Sequence, residues 1–245
     1  MTGHSIVLCT LTWKEGSGPR DPGAKMMVTE KGATFGTIGG GGMERILIEK
    51  ALEVLNEGKP RILHFAMGVR ARDEMISIDS KCGGEVKVFM DPLRPDPRLI
   101  VMGSGWIAQS TARIAHACGF NVIVVDDADT AVPENFPFAT ILNEAYPDSL
   151  KYLDIRRSDF VAVLHGETSF ELEALRKAVA AEPRYIGLLG STNKAREHKK
   201  RLIDEGFNPD IVNSIRGPIG ICIGAETPEE IGVSIVAELI KARHS

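Results

Sequence analysis

Four consecutive glycines, at positions 39–42, stand directly before a segment with helical periodicity that begins at Met43 and Glu44. Because glycine lacks a Cβ, its backbone can adopt positive φ and come close to a bound molecule. The unpaired N–H groups and the positive dipole end at the start of a helix attract phosphates and other anions. The junction therefore predicts a site for a small anion. A flexible or sharply turning loop is the alternative that the glycines alone leave open.

Cys82 is a second residue that could bind or react, because it lies between Lys81 and the pair Gly83-Gly84. A thiol beside glycines and a lysine can be exposed and have its thiolate favoured. Thiolates bind soft metal centres and accept persulfide sulfur. The structural alternative is a small residue in a turn. The remaining cysteines are expected to be buried packing residues in apolar segments, and they are Cys9, Cys118 and Cys222.

A dinucleotide-type motif, GSGWIA at 103–108, follows an apolar strand and opens a helix. Its glycines are Gly103 and Gly105, and Asp126 ends the next predicted strand about 20 residues later, where a ribose-binding acid usually stands. His165 follows another strand, at the sheet edge where ligands bind in such folds. The motif predicts a Rossmann-type fold. It leaves two functions open, nucleotide binding or a tight turn only.

A proline-rich segment at 91–98 divides the chain, because proline removes backbone donors and disfavours helix before it. We predict two domains, residues 1–92 and 98–245. The first is expected to be α+β, with strands at 6–12, 25–29, 34–37, 61–66 and 85–90 and a helix from 43 to 55. The second is expected to be Rossmann-like with a mainly parallel sheet. Its predicted strands are 99–102, 121–125, 139–142, 160–164 and 185–189, and its helices are 107–118, 169–181, 194–205 and 228–243.

Two helices of the second domain carry the sequence signature of a capping box. Thr168 is followed by Glu171, and Thr227 is followed by Glu230 with Pro228 between them. In such a box the threonine and glutamate side chains satisfy each other's backbone N–H groups. Both threonines are therefore predicted to cap the helices that follow them.

Composition excludes several classes of function. The net charge is -4 and 25% of the residues are charged, so we expect no nucleic-acid partner. The basic run at 194–201 is interpreted as a solvated helix face. No apolar stretch approaches the roughly 20 residues that span a bilayer, and the N-terminus does not resemble a signal peptide. We therefore expect a cytoplasmic protein without a membrane partner. The four cysteines form no CxxC pair, which argues against a zinc ribbon or a disulfide scaffold.

Taken in order, several short motifs resemble the xanthine dehydrogenase accessory factor family, XdhC/CoxI, over nearly the whole chain. They are GSGPR at 16–20, PGAKM at 22–26, the segment 36–44, CGG at 82–84, GSG at 103–105, GLLGS at 187–191, PIG at 218–220 and IGAETPEEI at 223–231. The chain departs from the family pattern at Gly42, where many relatives have cysteine. It departs again at Trp106, where many have histidine. The first departure places more weight on Cys82.

The resemblance implies a chaperone for the molybdenum cofactor rather than a metabolic enzyme. Such a protein binds the cofactor, supports its sulfuration by a cysteine desulfurase, and inserts it into an apo molybdenum hydroxylase of the xanthine or carbon monoxide dehydrogenase type. Arg20 and Lys25 would bond the pterin phosphate. Cys82 would ligate the molybdenum end or contact the incoming sulfur. The expected cofactor-binding residues are Arg20, Lys25, Gly39, Gly40, Gly41, Gly42, Glu44, Cys82, Gly103, Gly105, Asp126 and His165.

Two other functions remain open at this point. An NAD-dependent oxidoreductase is favoured by Gly103, Gly105 and Asp126, with NAD(P) as a second candidate cofactor and His165 near the hydride site. The neighbouring acids Asp127 and Asp129 would disfavour NADP. A scaffold whose nucleotide site only stabilises the fold is the third hypothesis. A homodimer is expected on the base rate for cytosolic proteins.

Overall fold

The computed structural model describes residues 5–72, 74–80 and 82–244, and the chain divides into two compact units. The units are Met1–Pro95 and Asp96–Ser245. Among the described helices, none combines the length and apolar character needed to cross a bilayer. Strand β6 of the first unit runs as far as Leu93, and strand β7 of the second begins at Arg98, so the division falls within the proline-rich segment.

The first unit is a six-stranded mixed sheet with one helix. The strand order is β3-β2-β1-β6-β4-β5, and every pair is antiparallel except β4 with β5. The elements are β1 Ile6–Gly16, β2 Lys25–Thr29, β3 Thr34–Gly36, α1 Gly41–Glu57, β4 Arg61–Met67, β5 Ile76–Ile78 and β6 Gly84–Leu93.

Helix α1 packs its apolar face on one side of this sheet. Met43, Leu47, Ala51 and Val54 recur at spacings of four, four and three residues, and all four are buried in a cluster with the strand residues. The strands alternate, so that Val7 and Cys9 of β1 face this cluster. The helix ends at Gly58, which adopts the left-handed conformation that terminates helices. The predicted α+β class is therefore confirmed for the first unit.

Strand β6 extends beyond its predicted end and passes through Pro92. At that position the strand pairs only with Val7 of β1, since its pairing with β4 stops at Met90. A proline is tolerated there because it removes an N–H group from a ladder that is already one-sided. Sequence analysis also missed the short strand β5, which contributes one buried residue, Ile78.

The second unit is a parallel five-stranded sheet in the order β11-β10-β7-β8-β9, which confirms the predicted Rossmann-like fold. The strands are β7 Arg98–Met102, β8 Asn121–Val125, β9 Thr140–Leu142, β10 Phe160–Val163 and β11 Tyr185–Leu188. The helices are α2 Trp106–Ala117, α3 Ser149–Tyr152, α4 Thr168–Ala181, α5 Thr192–Asp204, α6 Pro209–Ser214 and α7 Pro228–Arg243. Sequence analysis missed the short helices α3 and α6.

Both faces of the parallel sheet are covered. Successive residues of β7, such as Leu99 and Ile100, enter different core clusters on opposite faces of the sheet. One cluster contains residues of α2 and α7, and the other contains residues of α4, α5 and α6. Such burial on two faces explains why these strands are continuous apolar runs. Contrary to expectation, Cys222 is exposed, because it lies in the irregular segment before α7, and Cys118 is only partly buried at the end of α2.

One predicted capping box is confirmed and the other is wrong. The Thr227 hydroxyl accepts from the Glu230 N–H group at 3.2 Å, and the Glu230 carboxylate accepts from the Thr227 N–H group at 3.1 Å. At α4, however, the cap residue is Glu167, which makes no side-chain cap bond. The carboxylate of Glu171 is buried and bonded elsewhere, so it is not free to complete a box with Thr168.

Replacing Thr227 by alanine is expected to lower the free energy of unfolding by about 1 kcal/mol, since the variant loses a cap bond. Thr168→Ala is the matched control, because Thr168 is also an exposed threonine at a helix start but makes no cap bond. Urea denaturation of both variants checks the difference. Equal losses of stability would contradict it.

Candidate functional site

Two glycine-rich loops of the first unit lie against each other where β1 ends and β6 begins. Gly16 pairs with Gly84 in the sheet. A Cβ on Gly16 would lie 3.0 Å from the Gly83 carbonyl oxygen, and one on Gly84 would clash with the Ser17 carbonyl oxygen. The absence of side chains therefore lets the GSGPR loop approach the CGG loop, backbone against backbone.

The glycine run at 39–42 joins the same end of the sheet. A Cβ on Gly39 would clash with the ring of Pro19, so the GSGPR loop packs directly on the glycine run. On the other side, Gly42 lies over Ile78, with 3.6 Å between a Cβ placed on Gly42 and Ile78 Cγ2. The structure thus brings together three segments that are far apart in sequence: 16–19, 39–42 and 82–84.

A single carboxylate organises the glycine run. Glu44 Oε1 accepts from the Thr37 hydroxyl at 2.6 Å, the Gly40 N–H group at 2.8 Å and the Ile38 N–H group at 3.1 Å. Burial opposes ionisation of Glu44, but these hydrogen bonds outweigh it and hold the pKa of the carboxyl below its usual range. The chain therefore supplies its own anion to part of the helix start.

Part of the glycine run borders open space, and two of its donors are unbonded within the part of the chain that the structure describes. Gly40 and Gly41 adopt φ of 80° and 67°, and a Cβ at either position would have no neighbour within 4 Å. Among the described residues, the N–H groups of Gly41 and Gly42 have no hydrogen-bond acceptor. These two groups at the positive end of α1 are available to an external anion, whereas those of Ile38 and Gly40 are already bonded.

The predicted cationic and soft groups have different surroundings. Arg20 is exposed next to Pro19. Lys25 lies on the face of β2 opposite to Met26 and Val28, and its ammonium donates to the Thr10 hydroxyl at 3.2 Å. That bond ties Lys25 to β1 rather than to the glycine run.

Cys82 is half-buried and packs against the core of the first unit, and its N–H group donates to Ser80 Oγ at 3.2 Å. The adjacent Lys81 lies outside the described residues. Within the described ranges, no group of three His, Cys, Asp or Glu side chains is placed to hold a metal ion. Cys82 could therefore offer one thiolate to a metal that brings other ligands with it.

In the second unit, the motif loop and the His165 loop meet at the switch point between β7 and β10. These strands are neighbours in the sheet, and the chain leaves them toward opposite sides. Gly103 has φ of 121°, and a Cβ there would lie 2.8 Å from the carbonyl carbon of Leu164 and 2.9 Å from His165 Cα. Only glycine allows this approach.

Asp126 is buried and bonded within the protein. The Ser104 hydroxyl donates to Oδ2 at 2.7 Å, the Ala128 N–H group donates to Oδ1 at 3.3 Å, and His165 Nε2 lies 3.4 Å from Oδ1. A ribose hydroxyl would have to displace these partners to reach the carboxylate. The aspartate that sequence analysis assigned to ribose thus connects the two loops of the switch point.

His165 is held on all sides. Its ring stacks on Phe170 with 4.3 Å between centroids and 9° between planes. Nδ1 accepts from the Glu167 N–H group at 3.3 Å, and Nε2 lies 3.4 Å from Asp126 Oδ1. Both ring nitrogens therefore face protein partners, which fixes the position of the ring.

Sequence analysis missed a buried ionic cluster behind this loop. Glu171 is fully buried, and its Oε1 accepts from Lys194 Nζ at 2.7 Å and from the Gly166 N–H group at 3.2 Å. Its Oε2 lies 2.9 Å from Nε2 of the buried His198. The solvated face predicted at 194–201 is therefore wrong for Lys194 and His198. The available signal was their spacing of four residues on one helix face, and a glutamate on the apolar face of α4.

Comparison with known proteins decides the family. The XdhC Rossmann domain profile matches residues 99–239, and the XdhC and CoxI family profile matches residues 1–66. The chain belongs to the XdhC and CoxI family. The resemblance found in the sequence is thereby confirmed.

Three proteins similar to this chain differ in how much of their own length it covers. YqeB of Escherichia coli is 35% identical over 94% of this chain and 42% of its own length. A protein of Bacillus subtilis named as a probable xanthine dehydrogenase subunit is 35% identical over 64% of this chain and 46% of its own. The molybdenum cofactor insertion chaperone PaoD of E. coli is 24% identical over 99% of this chain and 85% of its own. The chain thus spans less than half the length of the first two relatives.

A solved structure shares the fold of this XdhC and CoxI family chain. The crystal structure of a xanthine dehydrogenase from Bacillus halodurans superposes with a TM-score of 0.54 and 25% sequence identity. The match covers 98% of this chain and 92% of that one.

Replacing Glu44 by glutamine is expected to flatten the dependence of stability on pH. A carboxyl whose pKa is lowered on folding contributes stability above its unfolded pKa, near 4.3, and loses it as pH falls through the folded value. Between pH 6 and pH 3 the wild type should therefore lose about 1 kcal/mol more than Glu44→Gln. Urea denaturation at several pH values measures this. Parallel curves would show that the Glu44 hydrogen bonds contribute nothing.

Replacing Glu171 by glutamine is expected to lower the free energy of unfolding by about 3 kcal/mol, because it leaves the Lys194 ammonium without its buried counter-charge. Glu173→Gln is the control, since Glu173 is half-exposed and pairs with Arg176 at the surface, where an ion pair contributes less than about 1 kcal/mol. Thermal unfolding of the two variants compares them. If both variants lose the same small amount of unfolding free energy, the buried cluster does not stabilise the fold.

Proposed function

We propose that this chain binds the molybdenum cofactor and delivers it to an apo molybdenum hydroxylase of the xanthine or carbon monoxide dehydrogenase type. The observation that carries the proposal is the meeting of segments 16–19, 39–42 and 82–84 at one end of the first unit. The names of two relatives, the insertion chaperone PaoD and the B. subtilis xanthine dehydrogenase protein, support the same cargo and the same class of partner.

The residues at this end of the sheet fit the two ends of the cargo. The pterin phosphate is an anion, and the free N–H groups of Gly41 and Gly42 with the exposed Arg20 are donors for it. The molybdenum end carries soft sulfur ligands of its own, and a single thiol from Cys82 suffices to protect or contact it. The open space over Gly40 and Gly41 leaves room for the cofactor to approach the backbone.

Glu44 takes a different role in this proposal from the direct contact that the sequence suggested. Its carboxylate is bonded to Thr37, Ile38 and Gly40, so it cannot also bind an anion. It orders the glycine run before the cargo arrives, and a preorganised loop loses less conformational entropy on binding. Glu44 is therefore a positioning residue, and Lys25, bonded to Thr10, is assigned no contact with the phosphate.

The oxidoreductase alternative gains nothing from the second unit. It needs Asp126 to accept ribose hydroxyls and His165 to exchange a proton, and the observed bonds engage both side chains within the protein. We propose instead that these residues stabilise the Rossmann scaffold of a carrier that performs no turnover of its own.

The finer part of the proposal concerns sulfur. A cysteine desulfurase would supply the terminal sulfur of the cofactor while this chain holds it, and the half-buried Cys82 lies at the proposed molybdenum end. Cys82→Ser keeps the size of the side chain and removes its soft sulfur. It is therefore the variant that separates a role in cofactor handling from a role in packing.

Anaerobic titration of the purified protein with isolated molybdenum cofactor tests the proposal. We expect saturable binding that weakens about tenfold or more in Arg20→Gln, and also in Gly41→Val, because a branched side chain strains a positive φ and covers the approach. Transfer to an apo hydroxylase should fall in Cys82→Ser. The control is Lys31→Gln, which removes the same single positive charge as Arg20→Gln from an exposed position in the β2–β3 turn.

Two outcomes would reject this function. One is the absence of cofactor binding by the wild type. The other is wild-type affinity and transfer in the Arg20, Gly41 and Cys82 variants. NAD(H) titrated in parallel distinguishes the oxidoreductase, which would bind nicotinamide tightly and the molybdenum cofactor not at all.

A further inference from the structure

A shallow pocket of about 390 Å³ lies in the second unit between helix α5 and the segment 213–217. The segment 213–217 flanks the outer strand β11 of the sheet. The side chains that matter for its chemistry are Arg196, Lys199, Lys200 and Ile203. None of these was assigned a function by the motifs of the sequence.

The walls of this pocket are fixed by backbone bonds. The Arg216 N–H group donates to the Ile186 carbonyl at 2.8 Å, and the Leu188 N–H group donates to the Arg216 carbonyl at 2.8 Å. A Cβ on Gly217 would lie 2.6 Å from Ala195 Cβ, so the segment packs tightly on α5. The pocket is therefore part of the folded scaffold rather than a gap beside a loose loop.

The charged residues that line the pocket are all cations. Arg196, Lys199 and Lys200 line it, and no aspartate or glutamate does so among the described residues. Arg196 donates to the Asn193 side chain at 3.1 Å and Lys199 donates to the Asn213 carbonyl at 3.2 Å. Burial and then the charge of Arg216 lower the pKa of Lys199.

Cations of α5 that lie outside the pocket are paired. Lys194 Nζ lies 2.7 Å from Glu171 Oε1, and Arg201 Nε lies 3.2 Å from Glu205 Oε1. The same helix thus neutralises its other cations with carboxylates. In the part of the chain that the structure describes, the cations that line the pocket form no ion pair. A bound anion would neutralise these cations as the carboxylates neutralise the others.

The rest of the lining consists of the polar residues Thr192 and Asn213 and of three residues without polar side chains. Ala195 and Gly217 form one part, and Ile203 is exposed to 37% at the rim. Inorganic phosphate alone would leave this surface uncovered, whereas the organic part of an ester would bury it. We propose that this pocket binds a small organic phosphate ester, with the phosphate held by Lys199, Lys200 and Arg196 and the organic part against Ile203. The residues of this pocket belong to the second unit, whereas those of the proposed cofactor site belong to the first.

Calorimetric titration with guanosine 5′-monophosphate as the probe tests this site, with guanosine as the uncharged comparison. We expect saturable binding of the nucleotide, none of guanosine, and displacement by millimolar inorganic phosphate. Lys200→Gln, which loses no hydrogen bond among the described residues, should weaken binding about tenfold, and Lys199→Gln should do the same. Arg113→Gln removes the same single positive charge from an exposed position on α2, and this control variant should bind as the wild type does.

Failure would be visible in any arm of this experiment. No saturable binding of the nucleotide, equal affinity in the Lys200 variant, or no competition by phosphate would each overturn the proposal. Circular dichroism of each variant confirms that the fold is retained. Because Lys200→Gln leaves the first unit unchanged, its binding of the molybdenum cofactor should equal that of the wild type, which separates this test from that of the proposed function.

Discussion

The first unit depends on one carboxylate at the start of helix α1. Four adjacent glycines have a large conformational entropy in the unfolded chain, and nothing in their side chains could select one conformation. Glu44 selects it from within the helix, by accepting from a hydroxyl and two backbone N–H groups on a single oxygen atom. The ring of Pro19, packed against Gly39, then connects this ordered run to the neighbouring loop.

Much of the architecture could be predicted from the sequence, because the periodicity of apolar residues determines it. The face of α1 and the buried strands β7 and β10 were predicted because burial on one or two faces leaves a direct pattern. Glu171 could not be placed in the same way. Its spacing from Thr168 is that of a capping box. Only the position of α5 in space shows that the Glu171 carboxylate contacts Lys194 and His198 instead.

The candidate site shows the same limit. Gly41 and Cys82 could be named from composition, since a helix start and a thiol between glycines have recognisable chemistry. What the sequence could not supply is which donors are already used. The Asp126 carboxylate is the clearest case, because the motif places it where a ribose would bind, but Ser104 and His165 occupy it first. Satisfaction of hydrogen bonds is a property of the fold, and spacing does not reveal it.

A carrier must release its cargo, and the composition of the proposed cofactor site suits that requirement. Two backbone N–H groups, Gly41 and Gly42, and one guanidinium, Arg20, offer three hydrogen bonds to a charged phosphate. At about 1.5–3 kcal/mol for each bond to a charged group, they sum to roughly 4–9 kcal/mol before the cost of association. Without that cost, such a sum would correspond to dissociation constants from millimolar to submicromolar, and the cost of association weakens the actual binding further. A deeper pocket that also used Ile38 and Gly40 would bind more tightly and release more slowly. By occupying those two donors, Glu44 both orders the loop and limits how strongly it can hold an anion.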